Sequence, residues 1–334
     1  MESLKELYRV GPGPSSSHTL AIQHACLYFI KQYPNIDEVV VDLFGSLSLT
    51  GKGHRTDKII EETFRNANKT VEVRFKNDWN VKHPNTLIIR DVHSDTSLTI
   101  YSVGGGAIRV EGVEQVVNPY VYPHHSFADI VQFCHDKNLN LYEYVTYFEP
   151  EIDAFLTEIL DQMLKTVDNG LHSEGMLPGL LNMQRVANDI YKKAEVALDP
   201  AEKKTLLLTA YAYACAEENA DGKTVVTAPT LGSCGVIPAV MSYYYHVCKV
   251  DKKRLQEALA VGGIFGNVIK QNASISGALG GCQAEVGVAC AMAAAAANYI
   301  FGGSLAAIEY AAEMGLEHHF GMTCDPICGL VQIP

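Results

Sequence analysis

Three groups of residues have the types and spacing to do chemistry, and the first is Gly11-Pro12-Gly13-Pro14-Ser15-Ser16-Ser17-His18-Thr19. Its prolines and glycines set a turn, its hydroxyls can cap a following helix, and the free N–H groups of a helix start attract a carboxylate. Capping alone explains one such serine. Three serines with His18 and Thr19 exceed that need and favour an anion site. The second group is Gly45-Ser46-Leu47 with Thr50-Gly51-Lys52-Gly53-His54-Arg55-Thr56-Asp57, placed where a strand runs into a helix. Glycines there let backbone approach a ligand, and His54 can orient a substrate or move a proton. Taken without its neighbours, a loop histidine is usually a plain surface residue.

The third group is spread along the second half, as Gly280-Gly281-Cys282-Gln283-Ala284-Glu285 and Thr323-Cys324-Asp325-Pro326-Ile327-Cys328-Gly329. Glycines beside a cysteine admit a bulky cofactor, and backbone amides that donate to sulfur tune an iron-sulfur cluster. Inert buried thiols are the competing reading, since free cysteine is commonly buried. Zinc is a further possibility on spacing, although a paired C-x-x-C signature is missing. Tyr101-Ser102-Val103-Gly104-Gly105-Gly106-Ala107 has a triple glycine. It lacks the Lys-Ser/Thr of a P-loop and the helix of a dinucleotide fingerprint, so it reads as a β-turn or bulge.

The elements that must position these groups change character along the chain. Val39–Leu43, Val71–Phe75, Leu87–Asp91 and Leu98–Val103 are short, rich in β-branched residues and bounded by turns, which predicts strands. Helices are expected between them over about Thr19–Gln32 and Thr56–Ala67. Beyond about Pro150, apolar residues recur at helical spacing through Ile152–Val167, Leu180–Leu198 and Ala201–Ala216. Asp199-Pro200-Ala201-Glu202 supplies an N-cap, a first-turn proline and an early acid for the last of these. The fold class expected is α+β, with an N-terminal α/β substrate domain over residues 1–150 and an all-helical domain over 151–334.

Composition narrows the partners. The 334 residues exceed one small domain at roughly 150 residues per domain, and 48% are hydrophobic, ample for buried cores. A net charge of −12 with no basic cluster disfavours nucleic acid and anionic membranes and leaves a small metabolite. Met1 is followed by Glu2, Lys5 and Glu6 without a secretory pattern, so the cytosol is expected. In that reducing compartment the 9 cysteines should be thiols or metal ligands. Val286–Ile308 has no charged residue, but its alanines and glycines point to one buried, closely packed helix rather than a membrane span.

With these motifs in hand, the chain resembles the bacterial iron-sulfur-dependent L-serine dehydratases (L-serine ammonia-lyases) over nearly its whole length. In the first half the likeness rests on GPGPSSSHT, GSLSLTGKGHRTD and HPNT at His83 to Thr86. In the second it rests on TAPTLGSCGVIPAV from Thr227, SISGALGGCQAEVGVACAMAAA from Ser274 and EHHFGMTCDPICGLVQIP from Glu317. The resemblance implies dehydration of L-serine to pyruvate and ammonia, in amino-acid degradation that feeds gluconeogenesis. It implies an open-iron 4Fe-4S cluster, no pyridoxal phosphate, and a homodimer. Two cluster cysteines correspond to Cys282 and Cys324. The family's third follows in QIPC, at the position directly after Pro334, so a truncated chain is expected, with Cys328 as the alternative ligand.

For the substrate, the resemblance assigns the serine carboxylate to Ser16, Ser17, His18 and Thr19, and orientation or proton abstraction to His54. Ser17 and His18 are grouped with His54 as catalytic candidates. His172, Ser173 and Asn272 are expected to line the pocket from the helical side, against a competing reading of ordinary helix-end contacts. L-cysteine desulfidation is the rival activity, because the same iron could accept sulfide. A non-catalytic serine-binding protein without an intact cluster is the rival of another class.

Overall fold

The computed structural model describes residues 1–113, 120–179, 181–275, 280–281 and 283–322. Strand β1 (Val10–Pro12) leads through a wide π-type turn at Ser16–Leu20 into helix α1 (Ala21–Gln32). Strand β2 (Glu38–Leu43) then runs into the short helix α2 (Gly45–Thr50), followed by α3 (Thr56–Asn66). Strands β3 (Thr70–Phe75), β4 (Thr86–Asp91), β5 (Ser97–Gly104) and β6 (Ala107–Val110) complete a sheet of order β3-β2-β4-β5-β6. The β2–β3 pair is parallel and the other pairs are antiparallel. Side chains alternate across a strand, so Val39, Val41 and Leu43 share one face with Leu87, Ile89 and Ile100. That face is buried under Ile22, Phe29, Ile60 and Phe64 of α1 and α3.

The helices after residue 120 are α4 (Phe127–Lys137), α5 (Leu141–Phe148), α6 (Ile152–Leu171), α7 (Ala187–Val196) and α8 (Pro200–Ala220). Strand β7 (Thr224–Val226) precedes α9 (Val236–His246) and α10 (Lys252–Asn272). A second π-type turn at Gln283–Gly287 opens α11 (Val288–Ile300), and α12 (Leu305–Glu317) follows. Helix α10 is central: Ala258 to Asn267 is an unbroken buried run, which requires neighbours on every side. Its core also takes in Met1, Leu4, Leu7 and Tyr8, and Phe127, Leu141 and Tyr144 of α4 and α5. Although α4 and α5 precede residue 150, their apolar faces therefore lie among the later helices.

The architecture is α+β, and all four expected strands are present, extended by a residue or so. Among the described residues the only named strand of the second half is β7, which pairs antiparallel with β1 and so ties the two halves by backbone. Two helix expectations need correction. The predicted helix over Leu180–Leu198 is only Ala187–Val196, because its start is set from a distance. The buried carboxylate of Glu217 on α8 accepts from Val186 N at 2.6 Å and Ala187 N at 3.1 Å, doing the work of a local cap. The predicted single helix over Val286–Ile308 is divided between α11 and α12. Ser304 accepts from Ala307 N at 3.3 Å and starts the second helix. Among the described residues no helix is long and apolar enough to cross a membrane.

Candidate functional site

The serine-rich motif folds because its side chains close on their own backbone. Ser15 is extended and its hydroxyl accepts from His18 N at 3.3 Å. Thr19 Oγ1 accepts from Ser15 N at 3.0 Å and turns back toward the Pro12 carbonyl. The first N–H groups of the helix, at Ser16 and Ser17, are of the kind a helix leaves without an intrahelical partner. Close backbone contact seats this turn. A Cβ at Gly13 would lie 2.1 Å from the Asn219 carbonyl oxygen at the end of α8, and Asn219 Nδ2 donates to Pro14 O at 3.2 Å.

His18 and His54 then come together. Their rings stack with centroids 4.2 Å apart and planes 20° apart. His54 Nδ1 lies 2.7 Å from Thr50 O, a carbonyl that can only accept, so Nδ1 carries the proton and Nε2 keeps its lone pair. His18 Nε2 lies 3.2 Å from Ser46 Oγ and 3.0 Å from Thr50 Oγ1. Burial, with the neighbouring His54 adding to it, pushes His18 down to about 3. Burial also lowers His54, against a smaller opposing effect of its bond to Thr50. Both rings are therefore neutral at ordinary pH.

The loops holding these rings are fixed by backbone geometry. Gly45 has φ +55, and a Cβ there would sit 2.3 Å from Pro84 O, so glycine allows β2 to turn directly into α2. Arg55 is left-handed at φ 58 and donates to Asp221 O at 2.6 Å, pinning the His54 loop to the end of α8. Thr56 Oγ1 donates to His18 O at 2.8 Å.

From the helical half, the Thr227–Gly235 turn meets the serine motif. Leu231 N donates to Ser16 Oγ at 2.8 Å, a buried bond between residues far apart in sequence. Glu285 closes on the same turn: its carboxylate oxygens would lie 3.1 and 3.2 Å from a Cβ at Gly232. Burial raises the Glu285 carboxyl above the usual carboxylate range, partly opposed by a hydrogen bond with Thr230. Glu285 was not among the sequence candidates. Its signal was an acid inside the glycine–cysteine motif, at the edge of an uncharged run.

Cys282, Cys324 and Cys328 lie outside the described residues, but their neighbours bear on whether the chain can hold a cluster. Gln283 N donates to Met322 O at 3.2 Å, and Gly321 N donates to Gln283 Oε1 at 2.8 Å. The residue after Cys282 is thus bonded twice to the residues just before Thr323-Cys324, which fits one group ligated from both segments. Close by, Cys290 Sγ is 3.5 Å from His319 Nε2, and His319 Nδ1 is 2.9 Å from Gly315 O. Among the described residues no three His, Cys, Asp or Glu side chains come together in a group that could hold a metal ion.

The remaining candidates divide. Ser17, next to His18 in the chain, is half-buried and makes no side-chain hydrogen bond among the described residues. Ser16 and Thr19 are spent on Leu231 and on their own turn. His172 is exposed, and its Nδ1 lies 2.7 Å from Asp168 O one turn back in α6. Ser173 donates to Asn169 O at 2.9 Å. Asn272 is exposed and donates to His125 O at 2.7 Å and Val268 O at 2.9 Å. Ser173 Oγ also lies 3.4 Å from Glu218 Oε1, so all three side chains have partners within the fold.

Comparison with known proteins converges on the same segments. The family described as serine dehydratase beta chain matches residues 3–68, and that described as serine dehydratase alpha chain matches residues 52–334. The chain is 35% identical to L-serine dehydratase 1 of Escherichia coli (strain K12), covering 100% of this chain and 86% of the relative. It is 36% identical to an L-serine dehydratase of Streptomyces coelicolor and 34% identical to one of Helicobacter pylori, each over 99% of this chain and 86% of the relative. The chain belongs to the L-serine dehydratase family. The beta-chain match spans both stacked histidines, and the alpha-chain match runs from the His54 loop through Glu285 and the cysteine motifs. In this L-serine dehydratase fold the serine turn of the beta-chain match meets the Thr227–Gly235 turn of the alpha-chain match through the Leu231–Ser16 bond.

Proposed function

We propose that this chain is an L-serine ammonia-lyase, converting L-serine to pyruvate and ammonia. The observation that carries the reading is the stacked pair His18–His54, with His54 Nε2 unprotonated, and with the Ser17 hydroxyl and helix-start amides next to His18 in the chain. The substrate carboxylate binds the Ser16 and Ser17 N–H groups and the Ser17 hydroxyl. His54 Nε2 takes the Cα proton, and its bond to Thr50 O holds the ring in the tautomer that can do so. His18, kept neutral and fixed by Ser46 and Thr50, supports the face of the His54 ring.

Elimination removes the Cα proton and the β-hydroxyl as water. The aminoacrylate formed tautomerises to the imine, and hydrolysis releases pyruvate and ammonia. A 4Fe-4S cluster would be held by Cys282 and Cys324, with Cys328 as the third cysteine available in this chain, and would supply Lewis-acid assistance to the departing β-hydroxyl. The reading includes a substrate unit in the first half, a cluster-bearing unit in the second, a homodimer in the cytosol, and no pyridoxal phosphate.

The test is pyruvate release after anaerobic cluster reconstitution, with L-serine and L-cysteine offered separately. L-serine should be the better substrate, and His54→Ala should abolish turnover. Preference for L-cysteine, or a His54→Ala enzyme at full rate, refutes the reading.

A further inference from the structure

Two polar atoms where β4 begins and β5 ends are buried without a hydrogen-bond partner among the described residues: Asn85 Oδ1 and Ser102 Oγ. Asn85 is 9% exposed and Ser102 0%. Buried polar atoms are nearly always paired, and each orphan carries the uncompensated cost of losing its water. The cost is doubled here in one place, because the two residues are neighbours. Thr86 pairs with Tyr101 across β4 and β5, and Ser102 N donates to Asn85 O at 3.0 Å. By strand alternation Asn85 lies on the face of Leu87, and Ser102 on that of Ile100, the face covered by α1.

The same end of the sheet, where β2 runs into α2, is joined to the His18 contacts. Pro84, next to Asn85, accepts from Ser46 N at 2.8 Å, and Ser46 Oγ is 3.2 Å from His18 Nε2. The Ser46 and Thr50 hydroxyls lie against His18, and the Pro84–Ser46 backbone bond ties them to the segment that carries the Asn85 carboxamide oxygen and, through Asn85 O, the Ser102 hydroxyl. All are neutral and offer lone pairs, an arrangement that complements a compact cation with several N–H donors. The carboxylate end of an amino acid is already met by the Ser16 and Ser17 amides.

We propose that Asn85 and Ser102 receive the α-ammonium group of the substrate. This assignment rests on the site reading above and extends it from the carboxylate and Cα–H to the third polar group. It makes the pair a specificity determinant: it selects α-amino acids over hydroxy acids of the same shape, since a ligand without the ammonium leaves both oxygens unpaired.

The experiment compares wild type, Asn85→Leu and Ser102→Ala as reconstituted enzymes. It measures KM and kcat for L-serine, the inhibition constant of 3-hydroxypropionate, which is serine without its ammonium, and thermal melting. Removing one orphan acceptor should leave melting unchanged or raised. KM for L-serine should rise about tenfold or more in Asn85→Leu with kcat held within a few-fold, and inhibition by 3-hydroxypropionate should not weaken. Ser102→Ala, a smaller change that keeps the strand, should move KM the same way. An unchanged KM in both variants, or equal losses for serine and 3-hydroxypropionate, overturns the proposal. His54→Ala separates the two readings. If it loses turnover while Asn85→Leu leaves KM unchanged, only the ammonium pair fails, whereas full turnover in His54→Ala removes the site and the pair together.

Discussion

His18 and His54 face each other ring to ring at 4.2 Å, and each has a nitrogen directed to oxygen atoms of the α2 segment. Two imidazolium charges at that separation repel, and burial removes the water that would screen them. The pair can therefore lend a neutral base to a reaction but cannot store two protons. His54→Gln should lower kcat by about 10²–10⁴-fold, the range for losing a positioned general base, with KM changed little. Steady-state pyruvate release checks this, and a comparable rise in KM would instead assign His54 to binding.

Acid should destabilise the fold through the same pair. His18 is pushed down to about 3 in the folded chain, whereas an unfolded histidine titrates near 6.5. Between those values the unfolded chain binds a proton that the folded chain refuses. Stability is complete above pH ~6.5 and falls with acidification by about 1.4 kcal/mol per pH unit for one such group. His54, also lowered, adds in the same direction. Urea unfolding of His18→Asn from pH 7 to 5 should show a shallower loss than wild type, and equal slopes would contradict a buried neutral His18.

Glu285 has the opposite sign. Burial raises its folded carboxyl, so above the ordinary carboxylate value the unfolded chain has lost a proton that the folded chain retains. Stability from this group declines as pH rises through that window. Glu285→Gln keeps the shape and removes the ionisation, so its melting temperature at pH 8 should equal or exceed that of wild type. If the difference in melting temperature between Glu285→Gln and wild type does not move in favour of the variant from pH 5 to pH 8, the effect lies elsewhere.

Ser16 and Ser17 are adjacent, yet they should respond differently. Ser16→Ala strips the acceptor from the buried Leu231 N–H and should cost about 1–3 kcal/mol in chemical unfolding. Ser17 has no such partner, so Ser17→Ala should stay within about 0.5 kcal/mol of wild type while raising KM for L-serine. Reversed outcomes would exchange the structural and substrate roles of the two hydroxyls.

This contrast also marks what sequence can disclose. The strands and the Asp199-Pro200 helix start were legible because their causes are local: alternation in one case, a side chain capping Glu202 N at 2.7 Å in the other. The start of α7 was not, since Glu217 caps it from a different helix. The serine turn and His54 could be picked out by residue type, but their stacking, the bond from Leu231 to Ser16, and the arrival of Glu285 exist only once the two halves pack. His172 and Asn272 were singled out by residue type alone, and the carbonyl partners that hold them become visible only in the fold.

The cluster assignment can be tested through a residue that is not itself a ligand. Gln283 is bonded to Gly321 N through its side chain and to Met322 O through its backbone. Gln283→Ala deletes the first tie and leaves the second, so the segments bearing Cys282 and Cys324 should still meet, but less rigidly. Cys282→Ser and Cys324→Ser should fail to develop iron-sulfur absorbance on anaerobic reconstitution. Gln283→Ala should assemble the chromophore and lose it faster than wild type when challenged with a chelator, because supporting contacts control how firmly ligands are held. Bleaching at the wild-type rate would show that the tie does not support the cluster, and full absorbance in both cysteine variants would remove the ligand assignment.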